Sequence, residues 1–270
     1  CISVFLRKKY FYQIRPYLYF SFIVGACFYL SKNANIEDIK SLIIYGWKGI
    51  ALWFIPVLFL TQLIWFCIYN YCNQCVRSCI LILCVLLAYI SSKYIGFIPY
   101  NLLLIPISVV YLGIGYLGKE KWFVMSGQYS NRKLVYLAII FFLFSCIGFI
   151  NEKQIVSYAF NNLGYVLPSL IAGFSGSFLI CVWSIFFFRL TKPSHPVVRL
   201  FSFIGKNTYI ILAFHQLFIT FSMLYIRPFI TNNYLYKLIE LLAIGLGCYL
   251  LILLINNYAP FIIRENKSVK

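Results

Sequence analysis

Acidic side chains are almost missing from this sequence. Its 270 residues hold six Asp and Glu against 23 Lys and Arg, and charged residues of both signs make up only 11% of the chain. Soluble domains carry about 25% charged and about 45–50% apolar residues, whereas here 63% are apolar and 20% aromatic. That shortage of charge excludes a water-soluble globule, and the apolar excess excludes a disordered or fibrous chain. Histidine is equally scarce, with His195 and His215 the whole supply. The CxxC of Cys72 and Cys75 therefore has no second CxxC or His pair nearby to complete a tetrahedral site, and zinc is not expected. Most of the ten cysteines lie in apolar runs, where a thiol behaves as a small hydrophobe. No GxSxG elbow, phosphate-binding glycine loop, HExxH or pair of carboxylates at catalytic spacing occurs. Methionine is limited to Met125 and Met223, and residue 1 is Cys, from which a longer parent protein is expected.

What is present is a series of long apolar runs. A hydrocarbon core of about 30 Å needs roughly 20 helical residues, and eight stretches approach this: Pro16 to Leu30, Gly49 to Tyr69, Ser78 to Ile95, Phe97 to Leu117, Leu134 to Ile150, Leu163 to Phe188, Thr208 to Ile226 and Leu238 to Tyr258. The first is short. Loops on alternate sides divide the basic residues sixteen to seven, the sixteen including Arg7, Lys8, Lys9, Arg15, Arg77, Lys133, Arg189 and Lys206. Basic residues collect in cytoplasmic loops, so both ends of the chain are expected in the cytoplasm. The net charge of +17 is then read as topology, and no nucleic-acid partner is expected. Most prolines punctuate span ends, but Pro56 and Pro106 fall well inside spans, where kinks are expected. The small residues Ala172, Gly173, Ser175, Gly176 and Ser177 predict a close helix approach. Ile36, Ile39, Leu42, Ile43 and Trp47 have the spacing of a short interfacial helix.

An ionisable group within a span costs roughly 2.5–3.5 kcal/mol on insertion scales, so each is either paired or functional. His215 lies halfway along the seventh run and suits either a general base or a hydrogen bond to a neighbouring helix. Asn207, Ile211 and His215, spaced by four, are expected on one helix face. Glu240 starts the last run; it suits an acid, a base or a ligand for sugar hydroxyls, while Lys237 three residues earlier is a ready structural partner. Arg7, Lys8, Lys9 and Arg15 form a cationic cluster that either fixes topology or binds the phosphates of a nucleotide-like donor. His195, between Pro193 and Pro196, is expected to be solvated.

Three segments in order resemble the integral-membrane acyltransferase 3 family, whose members acylate sugars of bacterial surface polysaccharides and peptidoglycan. They are RKKYFYQIRPY from Arg7 to Tyr17, the ALWFIPVLF that contains Trp53, and FIGKNTYIILAFHQ, in which Gly205, Thr208 and His215 carry the pattern. The sequence departs from the family at Tyr12, where a second basic residue is frequent, and at Leu212, where an aromatic is common. The resemblance implies an all-α polytopic membrane protein, with about eight transmembrane helices visible of a ten-helix bundle. Residues 1–270 would then form one transmembrane domain whose first two helices, including a catalytic His, precede this chain. It further implies an enzyme transferring an acyl group, commonly acetyl, from acyl-CoA to a hydroxyl of a saccharide or lipid-linked glycan. That enzyme would sit among the lipids of the bacterial cytoplasmic membrane and hold no permanent cofactor. On this reading Arg7, Lys8, Lys9 and Arg15 hold the donor. His215 and Glu240 are the catalytic candidates within the chain, and Trp53 and Asn207 contact substrate. A transporter or flippase subunit of envelope assembly, or an inactive remnant, are the alternatives.

Overall fold

The computed structural model describes residues 2–30, 37, 40, 51–95, 98–151, 162–192 and 194–263. Among the described residues 91% are helical and none forms a β-strand. The helices are α1 (Ile2–Lys9), α2 (Arg15–Leu30), α3 (Phe54–Tyr71), α4 (Gln74–Tyr94), α5 (Ile105–Gln128), α6 (Asn131–Ser145), α7 (Val166–Leu190), α8 (Pro196–Lys206), α9 (Thr208–Phe221) and α10 (Asn233–Tyr258). A π-helical turn, Tyr10–Ile14, joins α1 to α2, and a second one, Ser222–Ile226, follows α9. Short 3-10 segments precede α3 and α5 and extend α6.

Seven helical segments, among the described residues, are long and apolar enough to cross a membrane: Phe54–Tyr71, Gln74–Tyr94, Pro99–Lys119, Asn131–Ile150, Val166–Leu190, Thr208–Phe229 and Asn233–Tyr258. They coincide with seven of the eight expected runs, and the short eighth, Pro16 to Leu30, falls within α2. Large apolar side chains point outward along these helices, with Phe22 78%, Ile180 68% and Leu241 67% exposed. Water would not tolerate such a surface, but lipid does, and the chain is a multi-pass membrane protein. The interfacial helix expected around Ile36 to Trp47 lies outside the described residues.

Capping follows local chemistry. Asn73 Oδ1 accepts from Val76 N at the start of α4, Ser130 Oγ from Lys133 N at α6, and Asn232 Oδ1 from Tyr234 N and Leu235 N at α10. Pro56 opens its span and is no kink within it, whereas Pro106 lies within the span Pro99–Lys119, just after an irregular step. Each lies in the first turn of its helix, α3 or α5, where the missing N–H has no intrahelical partner to lose. Tyr100 and Asn101, just before α5, have φ of 59° and 52°, and this left-handed step redirects the chain into the span.

Contacts gather the chain into two compact units, Cys1–Phe59 with Ser202–Lys270, and Leu60–Phe201. In the second unit α6 packs along α7, and α4 along α5. Trp65, Ile68 and Val109 form its small buried cluster. Two glycines make close approach possible there. A Cβ at Gly113 would lie 2.7 Å from the Trp65 ring, and one at Gly173 would meet the Tyr111 hydroxyl. Tyr111 in turn donates to Ser169 O at 3.3 Å. The small-residue stretch around Gly173 is thus a helix-packing face, as its composition predicts. Between α3 and α4 only Cys72 and Asn73 intervene; the Arg77 guanidinium donates back to Tyr69 O and lies over the Tyr69 ring at 4.4 Å.

In the first unit, Phe20 and Val24 of α2 and Leu52 and Ile55 around the start of α3 pack on Ile210, Ala213, Phe214 and Leu217 of α9. Ile252 and Ile255 of α10 complete the cluster. The close point of α9 and α10 is Gly247, where a Cβ would lie 2.6 Å from the Phe218 ring. Lipid tails are as apolar as these side chains, so shape and dispersion rather than dehydration hold the cluster together.

Candidate active site

All eight residues singled out from the sequence belong to the first unit. They do not converge on one point. They lie along the segment running into α2, in the 3-10 turn before α3, and on α9 with its cap and α10.

At one end of α9 stands Asn207. Its φ of −111° and ψ of 12° end the regular helix between α8 and α9, while Asn207 O still accepts from Ile211 N at 3.2 Å. Asn207 occupies the position of a helix cap without capping. Its Nδ2 donates to Phe203 O at 2.8 Å and its Oδ1 accepts from Asn256 Nδ2 at 3.0 Å. This side-chain amide thus latches α9 to α10. Thr208 turns its hydroxyl back onto Ile204 O and Gly205 O, at 3.1 and 3.0 Å, and a Cβ at Gly205 would meet open space.

His215 lies two turns further on and is half-buried beside Phe214 and Leu217. Its Nδ1 is 2.9 Å from Ile211 O and 3.1 Å from Leu212 O. Carbonyl oxygens only accept, so Nδ1 carries a hydrogen toward them and Nε2 is the ring nitrogen left for another partner. The backbone of α9 therefore fixes the orientation of the imidazole.

Glu240 lies at the opposite level. It is 7% exposed, and both oxygens are engaged: Tyr236 OH donates to Oε1 at 2.9 Å and Lys237 Nζ to Oε2 at 2.7 Å. Ser222 Oγ donates to the Tyr236 oxygen at 3.4 Å, tying the start of the second π-helical turn to α10. Arg227 lies 4.9 Å from the Tyr236 ring and donates to Asn233 Oδ1 at 2.6 Å. Since Ser222 is level with Glu240 and follows His215 by seven residues, a rise of about 1.5 Å per residue separates the carboxylate from the imidazole by about 10 Å along α9. They form no dyad. Tyr236, Ser222 and Asn256 escaped the sequence reading, although Tyr236 precedes Glu240 by four residues and so shares its helix face.

The cationic cluster is regrouped by the first π-helical turn. Arg7 and Arg15 both face Phe11, with guanidinium carbons 5.9 and 4.9 Å from its ring centre. Lys9 instead lies over Phe5 at 5.5 Å; its half-buried position pushes the ammonium below the ordinary lysine range by desolvation. Lys8 is exposed. No Asp or Glu occurs before Glu37, so the chain from residue 1 to 36 brings only positive charge. Tyr209 OH donates to Gln13 O at 2.7 Å, which fastens the π-helical turn to α9. Trp53 ends the 3-10 turn Ala51–Trp53, half-buried and edge-on to Phe54, between Leu52 and Ile55 of the buried cluster.

His195 is not merely solvated, because its Nδ1 accepts from Val197 N at 3.3 Å and caps α8. Cys72 and Cys75 flank the turn between α3 and α4 as free thiols, and among the described residues no three His, Cys, Asp or Glu side chains are grouped to hold a metal ion. Comparison with protein-family models, with curated proteins and with solved structures gave no match to this chain.

Proposed function

We propose that this membrane protein is an O-acyltransferase that moves an acyl group, most simply acetyl, from acyl-CoA to a hydroxyl of an envelope saccharide or lipid-linked glycan. Its place is the bacterial cytoplasmic membrane, with both ends of the chain on the cytoplasmic side. The observation that carries the reading is that the three family-like segments, far apart in sequence, all lie in one compact unit. Arg7 and Arg15 lie on the ring of Phe11, Trp53 beside the buried cluster, and His215 in α9.

An alcohol is a weak nucleophile at neutral pH. Forming the new ester bond requires a base to take its proton, and breaking the thioester releases CoA as the thiol. The Nε2 of His215 suits proton handling, and its orientation is fixed in advance by the Ile211 carbonyl. Arg7 and Arg15, held by one aromatic ring, offer forked donors for the donor's phosphates, with Lys8 and Lys9 adding charge. Glu240, already bonded to Tyr236 and Lys237, serves as an acceptor for sugar hydroxyls at the other level of the unit.

The test uses membranes carrying the protein, acyl-labelled acetyl-CoA and extraction of envelope saccharide. Label should enter the saccharide, and replacing Arg7 and Arg15 together by Gln should raise KM for acetyl-CoA by about tenfold or more, with a smaller change in kcat. An unchanged KM removes the donor role from this pair. Translocated saccharide without label replaces the enzyme with a transporter.

A further inference from the structure

The second unit contains none of the residues proposed for acyl transfer, yet it has a feature of its own. Between α6 and α7 runs a cavity of about 300 Å³, walled by Val135, Ile139 and Phe142 on one helix and Leu179, Trp183 and Phe186 on the other. Leu134 and Val182, 2% and 1% exposed, form its floor. Both helices span the membrane, so the groove opens where hydrocarbon is the solvent.

The two ends of the groove differ in charge. Leu134 and Phe186 mark one end, and there Arg132, Lys133 and Arg189 are all exposed. Arg189 Nη1 donates to Tyr129 O at 2.6 Å and to Asn131 Oδ1 at 3.3 Å, and Lys133 lies 5.7 Å from the Tyr129 ring, which brings both cations to the same short turn. Phe142 and Leu179 mark the other end, and no charged residue occurs from 134 to 150 or from 163 to 188. Neither helix carries an acid, so the three cations meet no carboxylate of α6 or α7.

We infer that this groove is a binding site for an anionic phospholipid, with an acyl chain along the α6–α7 cavity and the phosphate at Arg132, Lys133 and Arg189. A molecule with one anionic end and one hydrocarbon end matches a groove that is cationic at one end and uncharged along the rest. Exposed basic residues next to a span each favour anionic lipid. A dipolar headgroup without net charge would gain no such preference. The site is independent of any acyl transfer in the first unit.

The probe is dioleoyl phosphatidylglycerol, added to the purified full chain in detergent, with phosphatidylcholine and inorganic phosphate as controls. Binding is read by native mass spectrometry and by the shift in thermal unfolding. Phosphatidylglycerol should bind as a one-to-one adduct and raise the unfolding temperature, whereas phosphatidylcholine and phosphate should not. Replacing Arg132 and Lys133 by Gln should weaken the phosphatidylglycerol adduct by roughly tenfold or more. Ala138→Phe, which fills the groove wall without touching charge, should weaken it as well. Both variants leave Arg189 and its bonds in place. Equal binding of phosphatidylcholine, full affinity in the variants, displacement of the lipid by acyl-CoA, or a lipid-free dimer that covers the groove would each overturn the inference.

Discussion

Glu240 shows how much of a residue's meaning depends on its neighbours. The sequence offers Lys237 as partner, and that pair is present, but the buried contact is with Tyr236, which Ser222 approaches from the π-helical turn after α9. Glu240→Leu removes the acceptor of a buried phenol and should destabilise the protein by about 1–3 kcal/mol. Adding Tyr236→Phe to that variant should recover part of the loss, because removing both partners of a buried hydrogen bond costs less than stranding one. Thermal unfolding of the two single variants and the double variant in detergent measures this, and strict additivity would mean that the pair is not coupled. Asn207 carries the opposite lesson. Its spacing from His215 suggests a shared face, yet only a partner 49 residues away, Asn256, reveals the latch. Hydrogen bonds between helices in lipid leave no periodic trace in one sequence. The His215 ring orientation, by contrast, depends on a carbonyl four residues back, which any α-helix supplies.

At the scale of the helix, what was legible was length and what was hidden was phase. Runs of about 20 apolar residues announce spans because a bilayer demands them, and seven of the helices appear where the hydropathy places them. The phase changes at irregular turns. The π-helical turn Tyr10–Ile14 pairs Arg7 with Arg15 across Phe11 and leaves Lys9 over Phe5, where the sequence alone shows one cluster of four. Pro56 looks like a kink until the 3-10 turn before it moves the helix start forward. Glycine positions are legible as types but not as contacts. At Gly113 the opposing surface is Trp65, itself 4% exposed and so without room to retreat, with Leu81 beside it at 2.8 Å from a Cβ. Gly113→Ala should therefore lower stability by about 1–3 kcal/mol through overpacking, despite the better helix propensity of alanine. Gly245→Ala, with nothing near its Cβ, is the control and should be neutral or slightly stabilising in the same melt.

For the whole molecule, the proposed orientation comes from sixteen basic residues against seven on alternating loops. If both ends are on the cytoplasmic side, as proposed, a fluorescent protein fused after Lys270 should fluoresce, while a phosphatase that needs export should be inactive there and active when inserted after Lys153. The reverse pattern would invert the topology. The division into two units was not legible, because hydropathy reports depth in the bilayer and not which helices touch. The motif-bearing segments belong to the first unit and the proposed lipid groove to the second, so each is tested with its own variants. The α3–α4 turn also limits what can be attached there. With only Cys72 and Asn73 between the two spans, and Arg77 bonded back to Tyr69 O, a tag or protease site inserted at that point would have to break the guanidinium contact that closes the turn.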